Sequence, residues 1–109
     1  MVEFMIDLSK FTGDRKVRNL SGKERGMAAR EDLKLDQLDL TDGQVEVIIP
    51  EYLDTISPSF FQGLFSQSIA KLQGREGFLR KYQFRASEQL MQWVNIGIRN
   101  ATSDRGKLI

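Results

Sequence analysis

Two serines flank a proline, Ser57-Pro58-Ser59, just ahead of a run of large apolar residues, and their hydroxyls are the groups best placed for chemistry in this chain. Ser57 stands where a helix N-cap belongs, and Pro58 suits the first helical position because its missing N–H would be unpaired there anyway. A hydroxyl at such a place can cap the backbone. It can also carry a phosphoryl group, whose charge the first-turn N–H groups favour and whose bulk would break a protein contact made there. Gln62 falls within the same helix start, so Ser57, Ser59 and Gln62 are the candidate partner-binding positions.

Positive charge gathers in two other places. Ser21-Gly22-Lys23 resembles the end of a phosphate-binding loop, but Val17 stands where that motif needs its first glycine, so the loop reading fails. What survives is a basic helix start, with Lys23, Arg25 and Arg30 as anion-binding candidates for an anion or nucleotide receptor, set against ordinary solvated charge. Further on, Lys71, Arg75, Arg80, Lys81 and Arg85 interleave with Tyr82 and Phe84. Single-stranded nucleic-acid platforms have this composition, and so does a strand with one wet face. A formal charge of only +1 weighs against bulk electrostatic binding of nucleic acid. Asp36, Asp39 and Asp42 before Gly43 have the wrong spacing for a calcium loop, so no metal site is expected.

The chain contains neither histidine nor cysteine, which removes the serine-histidine-aspartate triad, imidazole base catalysis, disulfides and thiol chemistry. No catalytic residue can be nominated, and the expectation is a non-enzyme without a cofactor. The N-terminal residues lack the basic and apolar segments of a signal peptide, and no apolar run approaches membrane-spanning length, which predicts a soluble cytoplasmic protein. At 109 residues the chain reads as one domain.

The elements that must position these residues follow from periodicity. Val2, Phe4, Ile6 and Leu8 alternate with Glu3, Met5 and Asp7, which predicts a first strand, with a thin signal for a pairing strand over 15–20. Ser21 and Glu24 have capping-box spacing, so a helix is expected over 22–33 with Met27, Ala28 and Leu33 as its apolar face. Residues 31–54 are acidic and read as a solvated connection with anchoring leucines. Asp42-Gly43 then turns into a central strand at 45–49. A helix over 59–72 buries Phe60, Phe61, Leu64, Phe65, Ile69 and Leu72, while Gly63, Ser66, Gln67 and Ala70 form a row of small residues on the opposite face. That row fits internal packing or, alternatively, a partner helix or homodimer mate. Residues 78–85 read as a strand. Ser87 caps a last helix with Leu90, Val94, Ile98 and Ala101 as its seam, and the tail 101–109 is expected to fray. The organisation is an N-terminal part (1–43), a strand-helix-strand-helix core (44–100) and a flexible tail (101–109), an α/β order.

From Val45 onward the chain resembles the STAS-like family of small bacterial domains, similar to anti-sigma-factor antagonists. The resemblance is carried by the strand followed by Ile56-Ser57-Pro58-Ser59-Phe60-Phe61-Gln62-Gly63-Leu64-Phe65, by Phe78 to Phe84, and less distinctively by Ser21-Gly-Lys-Glu-Arg-Gly26 with Arg30. It implies a mixed β-sheet packed against helices on one side and a non-catalytic, regulatory protein-protein interaction. In the antagonist branch the partner is a histidine-kinase-like ATPase that phosphorylates a serine at the start of this helix. Aligned on Ile56, Pro58 stands at the phosphoacceptor position and Phe60 where a glycine often follows. Proline has no hydroxyl, so a switch of this kind falls to Ser57 or Ser59.

Overall fold

A computed structural model describes residues 2–13 and 17–106. In chain order it contains β1 (Val2–Asp7), a 3-10 turn (Leu8–Phe11), β2 (Asn19–Leu20), α1 (Lys23–Asp32), α2 (Leu35–Leu38), β3 (Gln44–Ile48), β4 (Thr55–Ile56), α3 (Pro58–Lys71), α4 (Arg75–Lys81), β5 (Tyr82–Arg85) and α5 (Glu88–Gly106). The class is α/β. Strands β1, β3 and β5 form one sheet in that order, and β2 and β4 form a separate ribbon. All of these pairings are parallel, so among the described residues the sheet is not the expected mixed one.

Register follows the alternation of apolar residues. Ile6 lies opposite Val47 and Val47 opposite Phe84, which stacks one apolar side chain per strand across the sheet. Ile6, Val45, Val47, Ile49 and Tyr82 are buried on that face, while Glu3, Met5 and Asp7 on the other side of β1 are exposed. Strand β3 is central, as expected, with Val45 and Val47 fully buried between its two neighbours. The expected strand over 15–20 survives as β2 alone; positions 14–16 lie outside the described residues.

Helix α3 packs against both α1 and α5. Its Phe60, Phe61, Leu64, Phe65 and Ile69 are all buried, each burial stabilising by about 1.5–3 kcal/mol relative to exposure. Phe65 meets Phe78 and Tyr82 edge-on, with ring centroids 5.1 and 5.3 Å apart, while Phe78 and Tyr82 stack at 5.2 Å. The α1 contact is made through glycines. A Cβ on Gly26 would run into the Phe60 carbonyl oxygen, and one on Gly63 into the Lys23 carbonyl oxygen. The expected row of small residues is therefore used in part inside the chain, with Gly63 buried under α1 and Gln67 and Ala70 exposed.

Several local expectations are corrected. Residues 78–81 are helical, the second half of α4, where a strand over 78–85 was expected. Phe78 and Tyr82 lie four apart, a spacing that puts two residues on one side of either a strand or a helix, so the alternation was ambiguous there. Gly74, at φ 110°, separates α4 from α3. Helix α1 takes Gly22 as its N-cap with no side-chain cap, so it starts one residue too late for the Ser21 and Glu24 box to close. Its buried face is Gly26, Ala29 and Arg30; Met27 and Ala28 are exposed. The acidic connection contains α2 and buries Leu35 and Asp39. At the C-terminal end α5 continues to Gly106 with Ala101 buried, where fraying was expected; residues 107–109 lie outside the described set.

Candidate functional site at the start of α3

The short ribbon sets the site. Because β2 and β4 run parallel and each leads into a helix, α1 and α3 both begin at the carboxyl end of one two-stranded ladder, the end at which α/β proteins place ligands. Ser57 N–H donates to the Leu20 carbonyl at 2.8 Å, which ties the two helix starts together. Below them Thr55 Oγ1 donates to Asn19 Oδ1 at 2.6 Å. An exposed Arg18 and Asp54 ion pair at 3.2 Å adds little in water.

Ser57 is the N-cap of α3. Its Oγ accepts from the Phe60 N–H at 3.1 Å, and Pro58 occupies the first turn. The Ser57 and Ser59 hydroxyls share a hydrogen bond at 3.0 Å. Ser59 is exposed, whereas Ser57 and Gln62 are half-buried. The three predicted positions thus fall on one end of a helix whose other side is sunk in the core. That combination presents a surface anchored from beneath by buried side chains. Among the described residues the two hydroxyls hydrogen-bond each other and the Phe60 N–H.

Of the anion-binding candidates, Lys23 and Arg25 are exposed near the start of α1, but Arg30 is not with them. It is 4% exposed and committed to a buried network. Its Nη2 pairs with Asp39 Oδ2 at 2.7 Å and with Asp36 Oδ1 at 2.6 Å, and its Nη1 donates to the Leu64 carbonyl at 3.0 Å and to Ser68 Oγ at 2.8 Å. Asp39 further accepts from Ser68 Oγ at 2.9 Å and from the Tyr82 hydroxyl at 2.6 Å. Among the described residues no buried side-chain nitrogen or oxygen lacks a partner, so the network is closed. Hydrogen bonding and charge from Arg30, with help from Lys71, hold the Asp36 carboxyl below the usual carboxylate range. Burial first, then the hydrogen bond to Asp39, pushes the Tyr82 phenol far up, so it stays a donor.

The second basic stretch is divided: exposed Arg75 and Arg80 line one shallow hollow, and Lys81 is withdrawn from it. Lys81 is buried, its Nζ donating to the Thr41 carbonyl at 2.5 Å, to Thr41 Oγ1 at 3.0 Å and to the Gly43 carbonyl at 2.8 Å. Arg85 pairs with Glu46 at 2.9 Å, and Arg75 donates to Asn95 at 3.3 Å. Tyr82 lies fully in the core, which removes its ring from any stacking surface, while Phe84 is half-buried against Phe65 and Phe78.

Sequence reasoning missed Asp39, Ser68 and the Tyr82 hydroxyl as one unit. The available signal was Tyr82 itself: a tyrosine on a core face needs a partner for its hydroxyl. Among the described residues no group of three or more acidic side chains is placed to hold a metal ion, and no helix is long and apolar enough to cross a membrane. Compared with known proteins, the chain matches no protein-family model, no curated protein and no solved structure.

Proposed function

We propose that the chain is a cytoplasmic, non-catalytic regulatory domain of the STAS-like type that binds a protein partner through the first turn of α3. The observation carrying this reading is the contrast at that turn. Ser59 is exposed beside the capping Ser57, while Phe60, Phe61, Leu64 and Phe65 directly beneath are at most 2% exposed. A surface so anchored needs little ordering when a partner docks, which lowers the entropic cost of the contact. Ser59 is the phosphoacceptor in this reading. A phosphate there gains from the α3 N-terminus while its charge and bulk displace a docked partner. An ATPase of the histidine-kinase type is the partner class that the family resemblance suggests.

The test is a tagged pull-down from the native host, with quantitative mass spectrometry of the bound proteins and of the bait's own peptides. An ATPase retained by the wild type and lost with Ser59→Asp supports the reading, as does phosphate on Ser59. Equal retention by both baits removes it.

A further inference from the structure

A cavity of about 480 Å³ opens beside the start of α3, between the 3-10 turn, the end of β2 and one flank of α1. Its size falls within the range of small-molecule sites. Phe11, Leu20, Ala28 and Phe60 supply apolar walls. The charged lining groups are Arg25 and Asp32, and they differ in what they face. Asp32 is neutralised by Lys10, whose Nζ lies 2.9 Å from Oδ2. Arg25 has no ion-pair or hydrogen-bond partner among the described residues. Ser21 adds a hydroxyl to the lining, and α1 has no side-chain cap on its first-turn N–H groups. The hollow therefore combines an apolar interior with one uncompensated positive charge.

That pairing selects among anions. A nucleotide brings several charges and a polar sugar, whereas Arg30, the third cation of the stretch, is buried in its own network and cannot help hold them. We propose that the cavity binds a small amphiphilic monocarboxylate, an aliphatic or aromatic acid. Its apolar body packs on Phe11, Leu20 and Phe60, and its carboxylate is held by Arg25 with Ser21. Phe60 is also the residue whose N–H donates to Ser57, so an occupant lies one side chain from the turn that carries Ser59. The site stands on the cavity and its charge and does not depend on the partner reading.

Octanoate, 1-octanol and n-octylammonium, titrated into the isotope-labelled protein and followed by amide chemical shifts, test this. Octanoate is expected to give saturable shifts at Ser21, Arg25, Ala28 and Phe60, with octanol about tenfold weaker and octylammonium weaker still. Arg25→Gln brings octanoate down to the octanol level, and Ala28→Trp, which fills the hollow from an exposed helix position, abolishes both. Circular dichroism reports whether Ala28→Trp folds. If it does not, the Arg25→Gln comparison decides alone, because Arg25 is exposed and, among the described residues, makes no internal bond. Absent or non-saturable shifts, equal affinity for octanol and octanoate, or unchanged octanoate binding by Arg25→Gln would overturn the proposal. Such a failure leaves the Ser59 partner test untouched.

Discussion

The Tyr82 hydroxyl donates to Asp39 Oδ1 at 2.6 Å, joining the last strand of the sheet to an aspartate in the acidic stretch between α2 and β3. The other oxygen of the same carboxylate takes Arg30 from α1 and Ser68 from α3. Four parts of the chain thus meet on one buried anion, and α3 is held from behind while its first turn faces solvent.

Removing that anion exposes its role. Asp39→Ala leaves the buried Arg30 guanidinium with the exposed Asp36 as its remaining carboxylate partner, so unfolding free energy should fall by about 3–5 kcal/mol. That is a large share of what a domain of this size possesses. Tyr82→Phe removes a single donor and should cost about 1–3 kcal/mol. Urea unfolding followed by Trp93 fluorescence measures both. Replacing the pair together, as Arg30→Met with Asp39→Leu, should recover most of the loss, since two apolar side chains need no mutual compensation. Wild-type stability in Asp39→Ala would show that the carboxylate is dispensable.

The same network sets a pH dependence at each extreme. Tyr82 in the unfolded chain ionises near 10.0, while burial and Asp39 hold the folded phenol well above that. The folded state then keeps a proton that the unfolded state has released, so this contribution is complete below about pH 10 and declines as pH rises past it. Asp36 behaves in the opposite way. Its folded carboxyl lies below the ordinary 3.8, so its contribution is present above that value and is lost as pH falls through the folded pKa. Urea midpoints should fall with alkali in the wild type and fall less in Tyr82→Phe. Asp36→Asn should flatten the acid limb. Parallel alkaline slopes in wild type and Tyr82→Phe would contradict the assignment.

The crossing of α1 and α3 rests on absent side chains. At Gly26 an added methyl meets backbone rather than a flexible side-chain end, so the helices must separate. Gly26→Ala should cost about 1–3 kcal/mol, and Gly63→Ala a similar amount, read as a fall in melting temperature. Ala70→Ser, on the exposed side of α3, should stay within about 0.5 kcal/mol of wild type. An unchanged melting temperature for Gly26→Ala would mean that the helices can slide apart freely.

The contrast between these positions explains what the sequence made legible. Strand β3, the Ser57 cap and the apolar stripe of α3 were readable because burial, spacing and capping chemistry coincide there. Helix α4 was not, since Phe78, Tyr82 and Phe84 satisfy a strand pattern even though the first two are joined by a helical turn. Arg30 and Lys81 look like surface cations in any linear reading. Their burial depends on carboxylates and carbonyls that come from distant segments: Asp39 in one case, Thr41 and Gly43 in the other. At the candidate site the Ser57 cap was legible because capping is local. The cavity was not, because Phe11, Leu20, Arg25 and Phe60 come together only through the parallel ribbon and the glycine crossing.

Ser57 and Ser59 should separate stability from recognition. Ser57 accepts from the Phe60 N–H, so Ser57→Ala removes a cap and should cost about 1 kcal/mol. Among the described residues the Ser59 hydroxyl bonds only to Ser57, and it is exposed, so Ser59→Ala should stay within about 0.5 kcal/mol of wild type. Partner capture should run the other way. Ser59→Asp weakens it at nearly wild-type stability, whereas Ser57→Ala retains it as long as the helix start is folded. Melting curves and capture on the same protein preparations give both readouts. A Ser59→Asp variant that loses stability along with capture would reduce the effect to unfolding, and one that loses neither would move the contact away from this turn.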